Sequence, residues 1–219
     1  MLNLKMSDFI KKEILEYVEL HSHEEPALLK ELNKETNLKV LNPRMLSGAY
    51  QGRILSMISK LLRPKHVLEI GTYTGYSAIC ILEGLDSNGS IHTIDKNEEL
   101  LSIQRKYFNK TKKGGKFFQY TGNAKDIIPT INKNFDLIFL DADKENYLNY
   151  FNLIINKLNT NGVIISDNVL WGGKVLLKPD QEDIATKTLI EFNKFIKNDK
   201  RVETIILPIR DGISICRKI

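Results

Sequence analysis

The sequence predicts an α/β fold: a seven-stranded, mostly parallel sheet with an antiparallel last strand, preceded by extra N-terminal helices. Three observations carry this. Residues 1–62 place apolar side chains at helical spacing. After Pro64, short apolar runs alternate with helix-length segments. The last two runs are joined by Arg210-Asp211-Gly212, which is hairpin chemistry and leaves no room for a helix.

Each element follows from local signals. Ser7-Asp8 can cap a first helix, with Phe9, Ile10, Ile14, Leu15 and Val18 along one face. Pro26 can start a second helix, expected to reach about Glu35. A third is expected from about Arg44 to Leu62, and Pro64 ends it. The strand runs are Val67–Ile70, Ile91–Ile94, Lys116–Tyr120, Leu137–Leu140, Val163–Ile165, Thr204–Ile209 and Ile213–Cys216. Helical patterns lie between them near 76–84, 97–109, 124–131, 145–157 and 182–197. Strand–helix alternation argues for a sheet covered on both faces. The chain reads as one domain over 1–219, with 1–62 as helices and 63–219 as the sheet core.

Composition sets bounds. Lys+Arg is 32 and Asp+Glu is 27, a net charge of +5. That permits an anionic partner such as RNA or a coenzyme A ester, but scattered lysines fit a solvated surface better. Cys80 and Cys216 are far apart and no CxxC occurs. A zinc framework or disulfide scaffold is therefore disfavoured, and a reducing compartment fits. The N-terminal stretch is charged and lacks a signal-peptide core. No run approaches the ~20 apolar residues of a membrane span. The expectation is a cytoplasmic protein with no membrane partner.

His66-Val67-Leu68-Glu69-Ile70-Gly71-Thr72-Tyr73-Thr74-Gly75-Tyr76-Ser77 reads as strand, glycine turn and helix start. Ligands of open α/β sheets bind at strand carboxyl ends. Gly71 lets the backbone approach a ligand, and Gly75 lets the helix pack near the strand. Ser77 and the open N–H groups at the helix start can hold a carboxylate or phosphate. The glycine spacing is GxxxG, not the GxGxxG that cradles a pyrophosphate, which argues against NAD. An ionised Glu69 would repel phosphates and welcome an ammonium or sulfonium. Asp95 ends the second strand, 24 residues after Gly71, where a carboxylate can accept both ribose hydroxyls. Gly122-Asn123-Ala124 follows the third strand and can admit a flat adenine; it fits an ordinary strand-to-helix turn equally well.

Asp141 and the Asp167-Asn168 pair end two successive strands. All three offer oxygen, which suits Mg²⁺, Ca²⁺ or Mn²⁺ and not zinc. Asp143 can be a helix N-cap. Lys144, near a metal and a sulfonium, can accept a proton; solvated surface lysine is the plainer reading. Trp171, the single tryptophan, follows in a glycine-containing loop and can wall a planar substrate or simply pack. His21, His23, His66 and His92 show no ligand spacing; His66 and His92 read as strand-start residues.

The stretches LEIGTYTGYSA, GNAKDIIP, FDLIFLDADKENY and GVIISDNVLWGGKV, in that order, resemble the cation-dependent O-methyltransferases. That group contains the caffeoyl-CoA and catechol O-methyltransferases and their bacterial relatives. The resemblance spans about residue 40 to the C-terminus. It implies a Rossmann-like S-adenosylmethionine-dependent methyltransferase, usually a homodimer. It implies that Asp141, Asp167 and Asn168 bind the metal, magnesium foremost. It also implies that Met45, Glu69, Gly71, Ser77, Asp95 and Ala124 line the S-adenosylmethionine pocket, with Asp141 close by. Thr72 and Tyr73, in the same turn, count among the cofactor-binding positions. Lys144 matches the lysine proposed as base in relatives. Asp95 departs from the pattern, since many relatives carry Glu there, and its shorter arm must still reach the ribose. The N-terminal segment and Lys174–Ile184 shape substrate choice in such enzymes.

The expected reaction is methyl transfer to one of two vicinal oxygens on a small phenolic, a catechol or caffeoyl ester, bound partly through Trp171. A second acceptor is 5-hydroxyuridine in tRNA, whose C5 hydroxyl and C4 carbonyl chelate in the same way. A third reading, from another class, is a non-catalytic nucleoside-binding or assembly protein on the same scaffold.

Overall fold

A computed structural model describes residues 10–219. The expected cap at Ser7-Asp8 and the position of Phe9 lie outside the described residues. The elements run in the order α1 (Lys12–Leu20), α2 (Ala27–Lys39), α3 (Gly48–Leu62), β1 (His66–Ile70), α4 (Tyr76–Leu82), β2 (Ser90–Asp95), α5 (Leu101–Lys110) and β3 (Phe117–Thr121). They continue with α6 (Ala124–Thr130), β4 (Phe135–Leu140), α7 (Tyr147–Ile154), β5 (Leu158–Asp167), α8 (Ile184–Asn198), β6 (Val202–Leu207) and β7 (Ile213–Lys218). Short 3₁₀ turns precede or follow several helices.

The seven strands lie in the order β3-β2-β1-β4-β5-β7-β6. β1 through β5 run parallel to one another. β7 inserts between β5 and β6, antiparallel to both. The hairpin expectation is therefore met, and the strand order reverses between β1 and β4. Alternate strand residues feed two cores. Val67, Ile91, Phe139 and Ile165 meet α2–α5 on one face. Leu68, Ile94, Ile138 and Ile164 meet α6–α8 on the other. Behind the second face, Phe192 sits edge-on to Tyr147 at 5.3 Å and to Phe151 at 6.0 Å, which locks α8 against α7.

Several boundaries differ from expectation. α2 runs on to Lys39, where a Lys39–Glu35 pair at 3.0 Å supports its last turn. The expected helix from Arg44 is broken. A 3₁₀ turn covers Pro43–Met45, Leu46 is extended, and α3 starts at Gly48. That break puts Met45 on the wall of the cavity described below. α1 buries none of its residues and leaves Ile14, Tyr17 and Leu20 exposed.

One charge cluster fastens α3 to α4. Arg53 reaches both oxygens of Glu83, at 3.0 and 2.6 Å, while Ser56 and Lys60 each donate to Oε2 at 2.8 Å. Burial alone would raise the Glu83 carboxyl, but the hydrogen bonds from Arg53, Lys60 and Ser56 outweigh it and hold the pKa at about 2. A carboxyl depressed in the folded state stabilises above its unfolded pKa and loses that contribution as pH falls through the folded one. Glu83→Gln should therefore cost on the order of 2 kcal/mol at pH 7, after allowance for its partial exposure. Thermal melts of the two proteins should converge between pH 4.5 and 2. An equal gap at both pH extremes would show that the effect is not electrostatic.

Candidate active site

The site forms where strand order reverses, at the carboxyl ends of β1, β2, β4 and β5. It is a cavity of about 1620 Å³. Gly71 leaves β1 with φ +95°, its N–H bonded to the Ile94 carbonyl at 2.9 Å. Next door, the Asp141 N–H bonds the Ile70 carbonyl at 2.9 Å. A Cβ on Gly71 would lie 1.9 Å from the Asp141 carbonyl oxygen, so only glycine fits between the two strand ends. Gly75 serves a different neighbour from the one expected. Its missing side chain makes room for the Phe108 ring of α5, which a Cβ would meet at 2.6 Å, and not for strand β1.

Met45, Gly71, Tyr73, Asp95 and Ala124 all line this cavity. Asp95 holds the turn as well as facing the space: Oδ2 accepts from the Tyr73 N–H at 2.6 Å and Oδ1 from the Asn97 N–H at 2.8 Å. Ala124 opens α6, after Asn123 caps it by accepting from the Lys125 N–H at 3.0 Å. Glu69, Thr72 and Ser77 are placed otherwise. They are buried beneath the cavity and not on its wall. Ser77 was expected at an anion; its hydroxyl instead donates to Glu69 Oε1 at 2.6 Å. Glu69 was expected ionised. It is fully buried, and burial, with smaller contributions from Asp141 and Asp95, raises its pKa to about 8 despite the Ser77 bond. Its Oε2 and the Thr72 hydroxyl are buried without partners. Buried polar atoms left without partners next to a nucleoside-sized space fit a cofactor that brings polar groups of its own.

The acidic end follows from register. Leu140 of β4 pairs with Ser166 of β5, so Asp141 and Asp167 leave adjacent parallel strands side by side. Such strands lie ~4.8 Å apart. Asp167 is 3% exposed, and burial followed by the charge of Asp141 raises its pKa to about 6. Its Oδ1 accepts from the Asn168 N–H at 2.7 Å and its Oδ2 from Gln51 Nε2 at 2.6 Å. Asp141, Asp167 and Asn168 thus face one space. Among the described residues no three His, Cys, Asp or Glu side chains form a metal cluster; the oxygen set here is two aspartates and an amide. Two neighbouring carboxylates, one of them desolvated, fit a hard cation between them.

Lys144 is not a surface lysine. It is 8% exposed and donates to Asp141 Oδ1 at 3.0 Å and to the Tyr147 hydroxyl at 2.7 Å. Tyr147 in turn donates to the Asp167 carbonyl at 2.7 Å, so one buried chain of bonds joins both strand ends. Asp143 makes no cap bond; its carboxylate accepts from Tyr150 at 2.8 Å and from Asn146. Trp171 lines the cavity beside Asn168 and packs on the second core.

Sequence reasoning missed Gln51, Tyr147, Arg210 and Asp211. The last two read as hairpin residues, yet both line the cavity. Asp211 is buried and accepts from the Gly172 N–H; burial pushes its carboxyl up against the pull of that N–H, Lys144, Arg210 and the Asn168 side chain. Backbone strain marks the same place. Seven non-glycine residues among those described have positive φ, and five of them, Asn42, Tyr73, Asn168, Trp171 and Arg210, line the cavity. Left-handed backbone in tyrosine, tryptophan and arginine is costly and concentrates at functional sites.

A mostly parallel sheet with this strand reversal, a glycine turn beside a strand-end carboxylate and an acidic strand end fits an S-adenosylmethionine-dependent methyltransferase. Comparison with known proteins agrees. A profile of the O-methyltransferase family matches residues 19–219. Caffeoyl-CoA O-methyltransferase 1 of Arabidopsis thaliana is 34% identical, covering 99% of this chain and 91% of its own length. An O-methyltransferase of Bacillus cereus in complex with SAH superposes with a TM-score of 0.87 at 27% identity, over 94% of this chain and 97% of the other. An SAH-bound methyltransferase of Podospora anserina gives 0.85 at 28% identity, over 96% and 97%. The chain belongs to the O-methyltransferase family. It is an S-adenosylmethionine-dependent O-methyltransferase, which sets aside the non-catalytic reading.

Proposed function

We propose that the protein methylates one of two adjacent oxygens on a small phenolic acceptor of the catechol or caffeoyl type, with a divalent cation held by Asp141, Asp167 and Asn168. The observation that carries this is the side-by-side placement of Asp141 and Asp167, with Asp167 desolvated and raised by its neighbour's charge. Two carboxylates so placed repel each other, Lys144 offsets part of that repulsion, and a divalent cation between them would relieve the rest. A bound divalent ion supplies Lewis acidity and lowers the pKa of a hydroxyl it touches. Mg²⁺ is the first choice among oxygen-preferring ions, with Ca²⁺ and Mn²⁺ behind it. The protein's part is placement. Gly71 and Asp95 hold the nucleoside, and Trp171 bounds the flat acceptor. Lys144 Nζ would take the acceptor proton in its neutral form, which the positive charge of a cation and a sulfonium beside it would favour over the ammonium. Holding the acceptor oxygen in line with the donor methyl can contribute on the order of 7–11 kcal/mol.

The test is turnover of catechol and of a caffeoyl ester, with and without EDTA. Activity should vanish with chelator and return on adding Mg²⁺ in excess. Undiminished turnover in EDTA sinks the cation reading. The caffeoyl-CoA relatives support the phenolic acceptor. The rival acceptor, 5-hydroxyuridine of tRNA, rests on the net charge of +5. Nucleoside mass spectrometry of a deletion strain separates them, since loss of a methoxyuridine would select RNA.

We read residues 1–219 as one unit and place it in the cytoplasm, in keeping with two free, buried cysteines. No helix among the described residues is long and apolar enough to cross a membrane. A homodimer fits the exposed Ile14, Tyr17 and Leu20 of α1.

A further inference from the structure

Gln51 lies on α3, 116 residues before Asp167, yet its Nε2 donates to Asp167 Oδ2 at 2.6 Å. It is 1% exposed. Its other end is equally engaged, because Arg210 Nη1 donates to Gln51 Oε1 at 3.2 Å. The same Nη1 donates to the Leu46 carbonyl at 3.3 Å, in the break that delivers Met45 to the cavity. The chemistry leaves one orientation for the amide. A guanidinium can only donate, and an ionised carboxylate can only accept. Gln51 must therefore turn its oxygen to Arg210 and its nitrogen to Asp167. Reversal would set donor against donor at one end and acceptor against acceptor at the other.

We propose that Gln51 is a positioning residue for Asp167: it fixes the carboxylate's rotamer toward the cavity, and Arg210 fixes Gln51 in turn. The inference rests on the cation reading above. With Oδ2 held by α3 and Oδ1 by the Asn168 N–H, Asp167 is presented in a single orientation. The remaining lone pairs are set before any cation arrives. Groups that orient a metal-binding side chain typically change metal affinity by ~10–100-fold when removed.

The experiment is a Mn²⁺ titration followed by electron paramagnetic resonance, on wild type, Gln51→Met and Gln51→Asn, with melting of each metal-free protein. Methionine keeps the volume and removes both hydrogen bonds. Asparagine keeps the amide but is too short to span both partners, and it serves if the methionine variant does not fold. The expected result is ~10–100-fold weaker Mn²⁺ binding in either variant. Binding in both variants within threefold of wild type overturns the positioning role and leaves the cation reading standing, even where melting temperature falls. Wild type that fails to bind Mn²⁺ overturns the cation reading itself, and this inference with it.

Discussion

Gly71→Ala is expected to weaken S-adenosylmethionine binding by more than ~100-fold and to destabilise the protein by about 3–5 kcal/mol. Two independent penalties fall on one atom. The residue sits at φ +95°, where an alanine is strained whatever the space. The space is also absent, because the added Cβ would lie 1.9 Å from the Asp141 oxygen and 2.7 Å from its carbonyl carbon. Those are backbone atoms of the neighbouring strand end, so no side-chain rotation gives relief. Strands β1 and β4 would have to part, and the Asp141 N–H bond to Ile70 at 2.9 Å would stretch with them. The same movement displaces Asp141 from Asp167. Calorimetric titration with S-adenosylhomocysteine should show affinity reduced by more than ~100-fold, the equivalent of ~3 kcal/mol. The melting temperature should drop by roughly 6–20 °C, from 2–4 °C per kcal/mol for a chain of this size. Wild-type affinity and melting in this variant would contradict the packing described for the glycine turn.

The parts of this site that were legible in the sequence are those fixed by short-range pattern. A strand run ending in Asp announces an oxygen at a carboxyl end, and two successive runs place Asp141 and Asp167 as neighbours. The GxxxG turn and Asp95 were readable for the same reason. What was not legible depends on contacts between distant segments. Gln51 looks like any polar residue on a helix until α3 is folded against β5. Arg210 and Asp211 are ordinary turn residues by composition, and only the insertion of β7 beside β5 brings them to the cavity. Lys144 was legible as a candidate base from its place after Asp141, but its burial was not; the phenol of Tyr147, three residues on, gives it a buried partner. The depth of Glu69 was not legible, because it depends on what covers β1, and no local signal records that.

Asp141→Asn is expected to lower methyl transfer by about a thousandfold, the equivalent of ~4 kcal/mol, while leaving the fold intact. Asparagine keeps the volume and still offers an oxygen to Lys144 Nζ, so the buried ammonium is not stranded as it would be by alanine. What disappears is one of two negative charges. The consequence can be read apart from activity. In the metal-free protein the Asp167 carboxyl is raised to about 6 by burial first and by Asp141 second. An Asp raised in the folded state binds its proton more tightly than the unfolded chain does. Its favourable contribution is therefore complete below the unfolded value of 3.8 and is lost as pH rises to about 6. At neutral pH the metal-free protein thus carries a desolvated carboxylate, repelled also by Asp141, that a divalent cation would relieve. Saturating Mg²⁺, at a hundred times its dissociation constant, should add about 2.7 kcal/mol, or roughly 5–10 °C in melting temperature. In Asp141→Asn that rise should be lost, and the Asp167 resonance followed by NMR should titrate below its wild-type value, still held up by burial. A variant that keeps the full Mg²⁺ response would mean that the cation, if it binds, does not sit between these two strand ends.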